Sequence, residues 1–146
     1  MSAGRQSVYV VDDDDAVRES LVFLLSVEGL HVEGYSRADR FLAALPPVQS
    51  GCVIVDMNMP GVNGLELLRA LKERHARLPA ILISGQAGMA TRLAAFSRGA
   101  FDVVSKPFQD NIILRAVRAA LAEAAADPCG IGPATPAYAD QSCGSL

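Results

Sequence analysis

Five polar residues of this chain stand where apolar runs end. Asp12 and Asp13 follow Val8–Val11, Asp56 follows Cys52–Val55, Ser84 follows Ile81–Ile83, and Lys106 closes Phe101–Ser105. Acids, a hydroxyl and a lysine gathered in one place would suit a divalent cation and a phosphoryl group. Packed carboxylates resist ionising together unless a cation sits among them. Magnesium fits that need, since it accepts one or two carboxylates and keeps waters and a phosphate oxygen. A carboxylate such as Asp56 can attack a phosphoryl group to form an aspartyl-phosphate, with the metal neutralising charge during transfer. Asn58, two residues on, could offer its backbone carbonyl to the metal. The chain holds eleven Arg and only two Lys. One of those two is Lys106, whose compact ammonium neutralises phosphate as a point charge.

Each residue also has a plainer reading. Acids before a helix cap it and complement its dipole, which suits Asp14 and Asp15 better than Asp12 and Asp13. Asp56 alone could be a turn residue, Ser84 a loop-start hydroxyl and Lys106 a solvated loop lysine. Their joint order decides the matter.

The elements that must position these residues follow from periodicity. The apolar runs Val8–Val11, Cys52–Val55, Ala80–Ile83 and Phe101–Ser105 read as strands, and His31–Tyr35 as a more polar one at a sheet edge. Between them lie segments of helical period. Val17, Leu21, Leu24 and Glu28 mark a first helix, and Gly29 stands at its C-cap. Ser36 with Asp39 resembles a capping box opening Arg37–Leu45, which Pro46 and Pro47 stop. Leu65–His75 reads as a third helix after the loop Pro60–Gly64, Met89–Arg98 as a fourth before Gly99, and Ile113, Val117, Leu121 and Ala124 as a fifth. Strand–helix alternation repeated five times implies right-handed crossovers and a parallel sheet covered on both faces. Such sheets bind ligands outside the carboxyl ends of their strands, where the five polar residues fall.

Composition bounds the rest. The 146 residues suit one domain, 51% of them are hydrophobic, and the formal charge is −3. That charge, without a Lys/Arg cluster, argues against broad nucleic-acid binding. No apolar run approaches a membrane span, and Met1–Ser7 lacks a signal peptide's apolar stretch. Cys52, Cys129 and Cys143 form no metal-ligand pattern and fit a cytoplasmic protein. His31 and His75 read as structural or surface residues. Asp127–Leu146 has three Pro, three Gly and neither Lys nor Arg, and is expected to be a flexible tail after a domain at 1–126, with no output domain.

In order and spacing, Val10-Val11-Asp12-Asp13, Asp56-Met57-Asn58-Met59-Pro60-Gly61-Val62-Asn63-Gly64, Ile83-Ser84-Gly85, Gly99-Ala100-Phe101-Asp102 and Lys106-Pro107-Phe108 resemble the receiver domains of bacterial two-component response regulators. The likeness spans about residues 6–125, and Val11–Leu25 with Lys106–Phe108 are closest to the FixJ-like branch. It implies a flavodoxin-like (βα)5 fold, doubly wound, with five parallel strands in the order 2-1-3-4-5. It implies Asp56 as phosphoacceptor, Asp12, Asp13, Asp56 and the Asn58 carbonyl as Mg2+ ligands, and Ser84 and Lys106 as the groups that close on the phosphoryl. A sensor histidine kinase would donate that group, and autodephosphorylation would remove it, so the chain is expected to signal rather than to turn over substrate. Lys106–Pro107 is expected to be cis, and Asn58 and Gln86 to tune phosphate lifetime. A phosphate on Asp56 would bias the fourth helix, fifth strand and fifth helix, the surface such domains present to partners.

Two departures stand out. Family members usually carry Tyr or Phe three residues before the lysine, whereas Val103 stands there. Strand alternation puts Phe101 on the same face two positions away, so the switch is expected to be weaker or to take another route. FixJ-like proteins usually continue into a helix-turn-helix domain, and none is expected in this chain. Output is therefore expected through protein contact, with a histidine phosphotransfer protein, a downstream protein or a second copy on the fourth-helix and fifth-strand surface. Direct DNA binding and membrane contact are not expected.

Two readings from other classes remain separable. Asp13-Asp14-Asp15-Ala16-Val17 loosely fits the D-x-D-x-[TV] of a haloacid dehalogenase-type phosphotransferase, but that leaves Asp56–Gly64 unexplained. A receiver-like binding module that is never phosphorylated would keep the fold and leave Asp56 unmodified.

Overall fold

The computed structural model describes residues 6–45, 50–59, 63–74, 78–85 and 88–126. Strand and helix alternate throughout: β1 Ser7–Val11, α1 Asp15–Val27, β2 His31–Tyr35, α2 Ala38–Ala44, β3 Gly51–Asp56, α3 Gly64–Glu73, β4 Ala80–Ser84, α4 Met89–Ser97, β5 Asp102–Ser105 and α5 Asp110–Ala126. The strands pair in parallel in the order β2-β1-β3-β4-β5. This is the flavodoxin-like receiver fold that the alternation and the resemblance imply, with β2 at an edge. Pro46, Pro47, Gln86, His75, Cys129, Cys143 and the segment Asp127–Leu146 read as a tail all lie outside the described residues, as does Pro60–Val62 of the loop before α3.

Side-chain alternation along the strands builds two cores. On one face Tyr9, Val11, Val53, Val55, Leu82 and Val103 pack with Phe41 of α2, Leu67, Leu68 and Leu71 of α3 and Ala95 of α4. On the other, Val8, Val10, Cys52, Ile54, Ile81, Ile83 and Val104 pack with Leu21 and Leu25 of α1 and Ile113, Val117 and Ala120 of α5. β3 and β4 are buried along their whole lengths, as central parallel strands must be. Phe41 meets Tyr9 in tilted and Tyr35 in edge-on geometry, at ring-centroid distances of 5.4 and 5.6 Å, arrangements that aromatic quadrupoles favour.

Local chemistry sets the ends of the helices. Asp14 caps α1, its carboxylate accepting from the backbone N–H groups of Ala16 and Val17. Gly29 follows α1 with a φ of 87°, the left-handed conformation expected after a C-cap. The capping box expected from Ser36 and Asp39 is not formed. Arg37 is the N-cap of α2 without a side-chain bond, and its guanidinium instead takes both Asp39 oxygens at 2.9 Å. A bidentate fork holds that carboxylate more firmly than one backbone N–H can. The capping box lies at α3, where Asn63 accepts from the Glu66 N–H and Glu66 accepts from the Asn63 N–H.

One further expectation is corrected. Phe101 does not share a face with Val103: it packs into the α1/α5 core while Val103 packs into the opposite one. β5 begins only at Asp102. Phe101 lies in the bend after Gly99, where strand alternation does not apply.

Candidate functional site

Strand register gathers the polar residues along one sheet edge. Val11 pairs with Val55, so Asp12 and Asp56 stand side by side; Asp56 pairs with Ile83, which precedes Ser84; Ser84 pairs with Ser105, which precedes Lys106. Each step outward advances one residue, so the site climbs the edge of a twisted sheet. The next backbone bonds fix the loops: the Asp12 N–H donates to the Tyr35 carbonyl at 3.0 Å, Met57 N–H to Ile83 at 2.8 Å and Lys106 N–H to Ser84 at 2.8 Å. Lys106–Pro107 is a cis peptide, as the resemblance leads one to expect.

Asp12, Asp13 and Asp56 each offer an oxygen, and the three lie within 4.8 Å of one another. Asp12 and Asp56 are buried, at 0% and 5% exposure, whereas Asp13 faces solvent. Asp12 Oδ1 accepts from the Asp14 N–H at 2.9 Å, but its buried Oδ2 has no hydrogen-bond donor. Asp56 Oδ1 accepts from the Asn58 N–H at 3.3 Å and faces the Lys106 ammonium at 3.4 Å. Ser84 is buried beside them at 1% exposure.

The electrostatics follow from crowding. Burial pushes the Asp12 carboxyl up to about 6, aided by the Asp56 carboxylate and opposed by the Asp14 N–H and the Lys106 ammonium. With both acids ionised, Asp12 and Asp56 cannot hydrogen-bond each other, so Oδ2 needs a cation or a proton. Three carboxylates against one ammonium leave an excess of two negative charges, which a divalent ion would balance. Hard oxygen donors in this number suit magnesium. The orphaned Oδ2 and the donor chemistry therefore fit the ion.

Asp12, Asp13, Asp56, Ser84 and Lys106 are all brought to this edge, and Asn58 joins them through its backbone N–H. One contributor escaped notice in the sequence, and Gly64, read only as the end of the loop motif, gains a steric role. Arg18 of α1 donates to the Asp12 backbone carbonyl at 2.8 Å and pairs with Asp15. Its place on the first turn, three residues after Asp15, was the available signal. Gly64 starts α3 against the site: a Cβ there would lie 3.0 Å from Met57 Cα and 3.2 Å from the Asp56 carbonyl.

Known proteins share this frame. The profile of the response regulator receiver domain matches residues 8–118. FixJ of Azorhizobium caulinodans, a transcriptional regulatory protein, is 46% identical over 118 residues, covering 81% of this chain and 56% of FixJ. The structure of the response regulator StyR superposes with a TM-score of 0.80 at 34% identity, covering 86% of this chain and 63% of StyR. FixJ-N gives 0.72 at 37% identity over 77% of this chain and 90% of FixJ-N. The chain spans about half the length of the curated relatives it matches. With the fold, the strand-end acids and the matched profile in agreement, this chain belongs to the response regulator receiver domains of two-component signalling.

Proposed function

We propose that this chain accepts a phosphoryl group on Asp56 from the phosphohistidine of a sensor histidine kinase, in a Mg2+-dependent transfer. The observation that carries this reading is the setting of Asp56: nearly buried, 3.4 Å from the Lys106 ammonium, and within 4.8 Å of the Asp12 and Asp13 carboxylates. An ionised carboxylate is already a nucleophile, so no base is needed. An Asp56 oxygen forms the new O–P bond as the N–P bond to the kinase imidazole breaks, and the electron pair leaves on that nitrogen. Magnesium, held by Asp12, Asp13, Asp56 and the Asn58 carbonyl, would neutralise charge during transfer. Lys106 would then pair with a phosphoryl oxygen, and the Ser84 hydroxyl would donate to another. Attack of water on the phosphorus later breaks the Asp56 O–P bond, restoring the carboxylate and releasing inorganic phosphate.

The output we propose is protein contact through α4, β5 and α5. Met89, Leu93 and Phe96 on α4 and Ile112 on α5 are exposed apolar side chains, suited to a second copy, a histidine phosphotransfer protein or a downstream protein. FixJ is named a transcriptional regulatory protein, and gene regulation is the proposed end of the pathway here too, reached through such contacts. Among the described residues no helix is long and apolar enough to cross a membrane. The phosphotransferase reading needs Asp15 beside Asp13, whereas Asp15 is 76% exposed and paired with Arg18. The test is intact mass after incubation with an acyl phosphate and Mg2+. One phosphoryl adduct is expected on the parent and none on Asp56→Asn; an equal adduct on both overturns the assignment.

A further inference from the structure

We propose that Arg18 is a positioning residue for the metal site: it locks the peptide between Asp12 and Asp13 so that the two carboxylates stay converged. The inference rests on the proposed metal role of those acids. The Arg18 side chain is only 16% exposed, and its guanidinium bridges two points of the acidic loop. One Nη donates to the Asp12 carbonyl at 2.8 Å and the other to Asp15. The stem lies close over Gly34 of β2, where the missing Cβ leaves it room: one built there would sit 3.3 Å from Arg18 Cγ and Cδ. That carbonyl belongs to the peptide that carries Asp13. On its other side the loop is fixed by the Asp14 N–H on Asp12 Oδ1 at 2.9 Å. Three close carboxylates repel each other, and Asp13, the exposed member, is the one free to swing away. A rigid fork that holds the preceding carbonyl with one donor and anchors on Asp15 with the other opposes that swing, which a single flexible ammonium does less well. Groups that orient metal ligands typically change metal affinity ten- to a hundredfold when removed.

The experiment is calorimetric titration of Mg2+ into the whole chain, with circular dichroism as the control for folding. Arg18→Gln is expected to weaken Mg2+ binding about tenfold, and Arg18→Lys about threefold, on the outer-shell scale. Asp15→Ala, a surface change that keeps Arg18 but removes its second anchor, is expected to weaken it about twofold by the same reasoning, and it stands in should Arg18→Gln not fold. A merely structural Arg18 would weaken binding equally with or without Asp13. The proposed role predicts that Arg18→Gln adds little once Asp13→Asn is present. Unchanged affinity in folded Arg18→Gln, or full additivity with Asp13→Asn, overturns the proposal. A parent chain that takes up no Mg2+ overturns the metal site itself, and Arg18's role with it.

Discussion

Burial lifts the Asp12 carboxyl to about 6 from an ordinary 3.8, and the sign of that shift sets how the metal-free molecule answers to pH. The native state holds the proton more tightly than the unfolded chain does, so the contribution is fully present below about 3.8. It is lost as pH rises through about 6. Asp39, held down at about 2 by Arg37, titrates below this window and does not mask it. Metal-stripped protein is therefore expected to melt at higher temperature at pH 5 than at pH 7.5, and Asp12→Asn to lose most of that difference. A parent with no such difference would remove the case for a crowded, buried acid. Lys106 gives the complementary test. It is the cation beside Asp56, so Lys106→Ala should destabilise the metal-free fold by about 1–2 kcal/mol while tightening Mg2+ binding, read by urea unfolding and by titration. Most of these residues were legible in the sequence because each directly follows an apolar run. Arg18 was marked only by its spacing from Asp15; its bond to the site goes to a backbone carbonyl, which sequence patterns do not mark.

At the scale of elements, Gly51 shows how tightly β3 lies on β1. Its φ is 135°, and a Cβ would fall 1.8 Å from the Ser7 carbonyl oxygen. Gly51→Ala should cost roughly 3 kcal/mol or more, combining a forbidden backbone region with a backbone clash; a urea midpoint close to the parent's would contradict it. Strands and helices were readable from their periods, and edge placement of β2 from its polarity. The misread points share one cause, which is that local competition overrode a pattern. Arg37 captured Asp39 from its expected cap, and the bend after Gly99 turned Phe101 into the α1/α5 core. The second point bears on signalling. With Val103 buried against α4 and Phe101 on the other face, no aromatic side chain at these two positions links Ser84 to α4. Adding Mg2+ and a beryllofluoride phosphate mimic should shift amide resonances around Ser84–Gly85 and Lys106–Phe108, with the changes fading by Leu93–Ala100. Large shifts throughout Met89–Ala100 would show that α4 is coupled after all.

For the whole molecule, two cores share one sheet, and Cys52 lies in the middle of it, fully buried with its thiol pushed up to about 12 by burial. A thiolate is the reactive form, so Cys52 should resist alkylation until the sheet opens. Peptide-resolved labelling should follow global unfolding, and fast labelling of Cys52 in native buffer would mean that β3 opens locally. The sheet edge these cores support carries the account's central claim, that Asp56 is the residue phosphorylated. The most direct measurement is to phosphorylate the chain with an acyl phosphate and Mg2+, reduce it with borohydride, and map the peptides by mass spectrometry. Reduction converts an aspartyl-phosphate into homoserine and leaves free carboxylates alone. Homoserine is expected at position 56 and nowhere else; homoserine at position 12 or 13 with Asp56 intact would contradict the assignment.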